Sequence, residues 1–212
     1  MTIKQRQFTV IDLGLIDYQE AYTLQKKYVD QVLADSNPFL ILCEHPAVLT
    51  KGRMTKAENI LFTTEALNER GMDVKNIDRG GDVTLHAPGQ LVIYPIINLA
   101  EYGKDLHVYL RVLEDISMNV LRHYGINPRR ENGQTGVWVD DKKIVSMGIG
   151  VKRWVSFHGI GINVNTDLSL FSAINPCGLN VQMNSMSNIL GFKLDLQQVK
   201  QKVIEEFSNV FK

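Results

Sequence analysis

The chain has 212 residues, 44% hydrophobic and 22% charged, with 23 basic side chains against 23 acidic ones. That composition excludes intrinsic disorder, and a chain of this length buries roughly 70% of its unfolded surface, so it needs neither disulfides nor metal to hold a core. Zero formal net charge gives no global field for nucleic acid or an anionic membrane, no apolar window approaches a membrane span, and the amino terminus has no apolar signal core. A cytoplasmic protein is expected, with one domain over residues 1–212 and no nucleic-acid or membrane partner. Of the two cysteines, Cys43 sits in the apolar run Phe39, Leu40, Ile41, Leu42, whereas Cys177 lies between Pro176 and Gly178. Such different settings point to separate roles in a reducing compartment.

In chain order, residues 8–13 alternate as a strand does, and Asp17 with Glu20 three positions later resembles a capping box for a helix reaching about Ala34. Residues 39–44 read as a buried strand, 63–70 as a short helix closed by Gly71, and 74–79 as an extended run leading into the tight Gly80-Gly81 loop. Residues 91–99 are apolar and rich in Ile and Val, so they are assigned to a central strand. Asp105 opens the clearest helix: Leu106, Tyr109, Leu110, Leu113, Ile116, Val120 and Tyr124 recur at three- and four-residue spacing until Gly125. Residues 136–165 offer β-branched runs broken by Gly148, Gly150, Gly159 and Gly161, a meander of strands, and the last twenty residues read as helical. Strands arrive in runs and helices singly, which predicts an α+β fold, a mixed β-sheet with flanking helices, rather than regular βαβ alternation.

Four segments could carry chemistry. In Arg79, Gly80, Gly81, Asp82, Val83, Thr84, Leu85 and His86, followed by Gly89-Gln90, glycines lie beside a guanidinium, a hydroxyl, an imidazole and an amide, so backbone N–H groups could approach a ligand; the alternative is a plain turn with His86 capping a carbonyl. Cys177 is a loop thiol, a candidate nucleophile or an inert core cysteine. Lys143, entering the apolar run at Ile144 and followed by Ser146, Met147 and Gly148, is a candidate base, while Lys142 fits the charged turn Asp140, Asp141, Lys142. His158, Gly159, Ile160 and Gly161 interrupt an apolar strand, where glycine marks close approach by a ligand or a bulge. The chain has no Walker ending and no zinc-ligand spacing among its five histidines, so no metal is expected. Arg129-Arg130 reads as an exposed solubilising pair, with Lys51 and Arg53 as further candidates for a basic docking patch.

Taken in order, Arg79-Gly80-Gly81, Thr84, His86, Gly89-Gln90, Tyr94-Pro95, Lys143-Ile144, Gly148, His158-Gly159 and Asn175-Pro176-Cys177-Gly178 closely resemble the octanoyltransferases of lipoate biosynthesis, of the LipB type. The resemblance runs from about His45 to Leu179; Leu85 stands where the family commonly has an aromatic residue. It implies the α+β fold shared with biotin and lipoate protein ligases. It also implies transfer of octanoyl from octanoyl-acyl carrier protein to a lysine of lipoyl domains, those of 2-oxoacid dehydrogenase subunits and of the glycine cleavage H protein, with no cofactor. By the same resemblance Cys177 carries the acyl-thioester and Lys143 activates it, while residues 79–86, Ser146 to Gly148 and Gly159 to Gly161 bind substrate. Glycine-loop N–H groups are candidate oxyanion donors, and Leu91, Ile93, Ile144 and Met147 are candidate lining for the acyl channel. A ligase would require ATP and no cysteine, and a thiol hydrolase would release free acid; Cys177 and Lys143 together favour the transferase over these and over a non-catalytic binding module.

Overall fold

A computed structural model describes residues 7–175 and 181–211. Its elements are β1 (Thr9–Leu15), α1 (Tyr18–Leu33), β2 (Phe39–Glu44), β3 (Val48–Lys51), α2 (Thr64–Glu69), β4 (Asp73–Asn76), β5 (Thr84–His86), β6 (Gln90–Ile96), α3 (Leu106–His123), β7 (Val137–Val139), β8 (Lys142–Lys152), β9 (Val155–Asn163), α4 (Met186–Leu190) and α5 (Leu196–Val210). The main sheet runs β1-β2-β6-β9-β8-β7, parallel only between β1 and β2; a smaller sheet runs β4-β3-β5, parallel between β3 and β4. This is the expected α+β architecture with a mixed sheet.

The main sheet is apolar on both faces, and the two-residue period of a strand sorts its side chains between two cores. Leu40 and Leu42 of β2, with Leu91 and Ile93 of β6, pack against Leu113 and Ile116 of α3 and Phe207 of α5. Ile41 and Cys43, with Val92 and Tyr94, face Tyr18, Ala21 and Val29 of α1. A third core under the small sheet joins Leu49, Leu67, Leu85 and Phe171. Asp17 caps α1 by accepting the N–H groups of Gln19 and Glu20, and Asp105 does the same for His107 and Val108 at α3, so side-chain carboxylates satisfy donors that a helix start leaves open. Lys200 of α5, 4% exposed, donates to both carboxylate oxygens of Asp12 on β1 at 2.8 Å and ties the carboxy-terminal helix to the edge strand.

Three sequence expectations need correction. The strand assigned to residues 91–99 spans Gln90–Ile96, because Asn98 caps a 3₁₀ turn over Leu99–Tyr102. The extended run at 74–79 is a strand only over Asp73–Asn76. Residues 84–86, in the glycine-rich stretch, form a strand paired antiparallel with β3, so the small sheet is an element the sequence did not announce: strands of three and four residues are too short to print a period. The meander expected over 136–165 is present as β7, β8 and β9.

Candidate functional site

A cavity of about 510 Å³ opens between the two sheets. The main sheet supplies Val92 and Tyr94 from β6, Lys143, Ser146, Met147 and Gly148 from β8, and His158, Gly159, Ile160 and Gly161 from β9. Gly81, Asp82, Val83, Thr84 and His86 line it from the small-sheet side, and Arg79, Tyr18 and residues 133–135 complete the wall. The volume falls within the range of small-molecule sites, and the wall is apolar with a few convergent polar groups.

Arg79 is 6% exposed, and its guanidinium is largely committed to the protein: Nη2 donates to Thr50 O (2.7 Å) and Thr50 Oγ1 (3.0 Å), and Nη1 to Gly80 O (3.0 Å). A Cβ on Gly148 would stand 2.9 Å from Arg79 Cδ, so glycine at that position lets the arginine lie flat against β8. Asp82 accepts a hydrogen bond from Asn59 Nδ2, while the backbone oxygen of Asn59 accepts from Asn175 N at 2.9 Å. The Gly80 N–H donates to Ile149 O at 2.9 Å and is spent on structure, which removes it from the candidate oxyanion donors.

Two buried polar chains lie beneath the cavity. His86 Nδ1–H donates to Gln90 Oε1 at 2.6 Å, because the Gln90 amide nitrogen is committed to Leu85 O and Asn163 Oδ1; Asn163 in turn donates to Asn184 O. Burial, with His45 nearby, pushes His86 down to about 3, so the ring is neutral at physiological pH. On the other side His158 Nε2–H donates to Asp78 Oδ1 at 2.9 Å, Tyr22 donates to the same oxygen at 2.6 Å, and Tyr18 OH lies 3.4 Å from His158 Nδ1. Burial holds His158 at about 4 despite the carboxylate; burial would also raise Asp78, but the hydrogen bonds from Tyr22 and His158 hold its carboxyl below the usual range. His158 adopts φ +56° inside a strand, a conformation a non-glycine residue keeps only when its surroundings enforce it, and here Gln25 Oε1 takes its backbone N–H at 2.8 Å.

Lys143 is half-buried, with Nζ 4.8 Å above the Trp138 ring, whereas Lys142 is exposed as a turn residue. Its backbone is bridged to the chain just beyond Cys177: Lys143 N donates to Gln182 O and Asn184 N to Lys143 O, both at 2.8 Å. Arg130 is no solubilising residue. Its Nε bonds the buried Glu114 at 2.8 Å and its Nη2 bonds Asp115 at 2.7 Å, while Arg129 pairs with Glu131 and Asp141.

Of the residues singled out from sequence, Arg79, Gly81, Asp82, Val83, Thr84, His86, Lys143, Ser146, Met147, Gly148, Gly159, Ile160 and Gly161 line the cavity. Gly80 does not, and Leu85, fully buried among Leu49 and Leu67, points away from it, because alternation along β5 turns only its neighbours inward. The expected channel lining is met by Met147 alone. Leu91, Ile93 and Ile144 lie in the core under α3 and α5, and Val92 and Tyr94 take the cavity face. Cys177 lies outside the described residues; Cys43 is fully buried, its thiol pushed well up by burial, as a core cysteine should be. Sequence reasoning missed Tyr18, Tyr22, Asp78, Asn59 and Thr135. The four-residue spacing of Tyr18 and Tyr22 on one helix face was the available signal for the first two; nothing local marked the others. Among the described residues no helix is long and apolar enough to cross a membrane, and no group of three His, Cys, Asp or Glu side chains could hold a metal.

Residues 17–208 match the lipoyl protein ligase A/B catalytic domain. An octanoyltransferase of Geobacter metallireducens is 43% identical over 198 residues, covering 92% of this chain and 90% of the relative. Among solved structures, a bipartite lipoate protein ligase of Thermoplasma acidophilum superposes with a TM-score of 0.73 at 16% identity over 96% of this chain and 83% of its own. The biotin protein ligase of Aquifex aeolicus in complex with biotin and ATP gives 0.59 at 17% identity over 96% and 69%. At those identities the structures speak for the fold.

Proposed function

The chain belongs to the lipoyl protein ligase A/B catalytic-domain family, among its LipB-type octanoyltransferases, and from that premise we propose that it carries octanoyl from octanoyl-acyl carrier protein to a lysine of a lipoyl domain through a thioester on Cys177. It is an acyltransferase of protein lipoylation. The lipoyl domains of 2-oxoacid dehydrogenase subunits and the glycine cleavage H protein are the acceptors in this reading.

In the first step Cys177 gives its thiol proton to the neutral amine of Lys143, and the thiolate attacks the carrier's thioester carbonyl. The carbon–sulfur bond to the carrier breaks, and the carrier thiolate recovers the proton from the Lys143 ammonium. In the second step the neutral amine of the acceptor lysine attacks the Cys177 thioester, an amide forms, Cys177 leaves as thiolate, and Lys143 takes the proton lost from nitrogen. One thioester exchanges for another at little cost and the amide is more stable than either, so no ATP is consumed.

The observation that carries this reading is convergence. Lys143 with Ser146 to Gly148 on β8, most of the 79–86 stretch, and Gly159 to Gly161 on β9 come from three separated parts of the chain and meet on one apolar-walled cavity. Cys177 is two residues from Asn175 and five from Gln182, and both of those are hydrogen-bonded beside that cavity, to Asn59 and to Lys143. Intact-mass spectrometry with octanoyl-acyl carrier protein and no ATP tests it. One octanoyl adduct on the wild type, absent from Cys177→Ala and discharged by a lipoyl domain, is the expected result. Modification of the lipoyl domain by Cys177→Ala with octanoate and ATP would instead make the chain a ligase.

A further inference from the structure

The loop over residues 130–136 is stapled at its base by the paired backbones of Arg129 and Trp138, at 2.8 and 2.9 Å, and its tip presents Gly133, Gln134 and Thr135 to the cavity. One side chain from outside the site holds the end of this loop. Glu114 of α3, 1% exposed, accepts the Gly136 N–H on Oε1 at 3.0 Å, and its Oε2 takes Arg111 Nη1 at 2.6 Å and Arg130 Nε at 2.8 Å. A carboxylate this deeply buried is kept only by such complete pairing.

Gly136 in turn is the surface on which Lys143 rests. Its φ of +133° is one that residues with a Cβ avoid, and a Cβ there would stand 2.5 Å from Lys143 Cε, 3.2 Å from Nζ and 2.6 Å from Val145 O. Glu114 thus holds the Gly136 N–H, Gly136 leaves no room for a Cβ beside the lysine stem, and the Trp138 ring lies 4.8 Å from Nζ. We propose that Glu114 is a positioning residue for the transfer reaction: with Arg111 and Arg130 it clamps Gly136 against β8 and so sets where the Lys143 amine stands. The proposal rests on the assignment of Lys143 as the base, and it gives the ion pairs of Arg130, which does not line the cavity, a part in the reaction.

Glu114→Ala releases the clamp, and Gly136→Ala pushes the lysine aside while leaving every charge in place. Both are compared with the wild type in steady-state transfer from octanoyl-acyl carrier protein to a lipoyl domain, and in labelling by acetic anhydride, with Lys143 and Lys142 quantified as separate peptides. Expected are a fall in kcat of about 10- to 100-fold, with KM for the lipoyl domain within about twofold, and a severalfold rise in the Lys143-to-Lys142 labelling ratio. A purely structural role would lower the melting temperature and the amount of folded protein and leave the labelling ratio alone. Glu114→Gln, of equal volume, replaces Glu114→Ala should that variant not fold. A folded Glu114 variant, Ala or Gln, with wild-type kcat and labelling ratio would overturn the proposal, whether or not Gly136→Ala folds. Lys143→Ala separates the two levels: wild-type turnover there refutes the lysine as base, while the labelling ratio still decides whether Glu114 positions it.

Discussion

At the scale of single residues, the cavity floor is built from neutral imidazoles rather than charged ones. His86 and His158 have ordinary partners, an amide and a carboxylate, yet burial keeps their folded pKa values near 3 and 4 against 6.5 when exposed. The sign follows directly. Between about pH 4 and 6.5 the unfolded chain binds protons that the folded one refuses, so stability rises with pH across that window and is lost as pH falls through it. Urea midpoints at pH 7, 6 and 5 are therefore expected to fall steadily, and a midpoint flat from pH 7 to 5 would show that these rings titrate normally in the folded state. The same values keep both rings out of any activity profile above pH 5. An ionisation seen there belongs to other groups.

Elements decide which residues the site can use. Along β5, Thr84 and His86 face the cavity and Leu85 faces the core of Leu49, Leu67 and Phe171. Leu85→Ala is thus expected to cost about 2–5 kcal/mol of stability and to leave turnover per folded molecule near wild type, a combination that denaturation alongside active-site titration would detect. A large change in KM without loss of stability would return Leu85 to the cavity wall. The same logic applies across β6 and β9. Gly159 has Ile93 O 2.3 Å from where a Cβ would be, so this glycine, read from sequence as a mark of close approach by a ligand or of a bulge, is required first by strand-to-strand packing. Gly159→Ala is expected to destabilise the sheet, seen as a lowered melting temperature.

For the whole molecule, the two ends of the described chain are joined by Lys200 and Asp12, one nearly buried and the other more than a third exposed. Asp12→Ala leaves a nearly buried ammonium without its carboxylate, at a cost of about 1–3 kcal/mol and a melting temperature lower by roughly 2–4 °C for each of those. Replacing both partners by apolar residues should recover most of the loss, because the desolvation of the lysine then disappears with it. Should the double variant be no more stable than Asp12→Ala, the pair acts through something other than that burial. The helix α5 is held to the sheet by this contact as well as by Val199, Val203 and Phe207.

Residue order alone determined the α+β class, the helices that begin at Asp17 and Asp105, and the family, because capping side chains, a 3.6-residue apolar period and ordered motifs are local and survive being read in one dimension. The same ordered motifs singled out Lys143 and the 79–86 stretch, most of which lines the cavity. Tertiary structure alone decided which face each strand shows. β6 is buried on both sides, so Leu91 and Ile93 are indistinguishable in sequence from Val92 and Tyr94, and only packing against α3 or against α1 separates them. Spacing could mark Tyr18 on its helix face, but it could not place Tyr18 and Asp78 beside His158, or Glu114 beside Gly136. Those contacts join residues 140, 80 and 22 positions apart, and their geometry exists only once the chain has closed on itself.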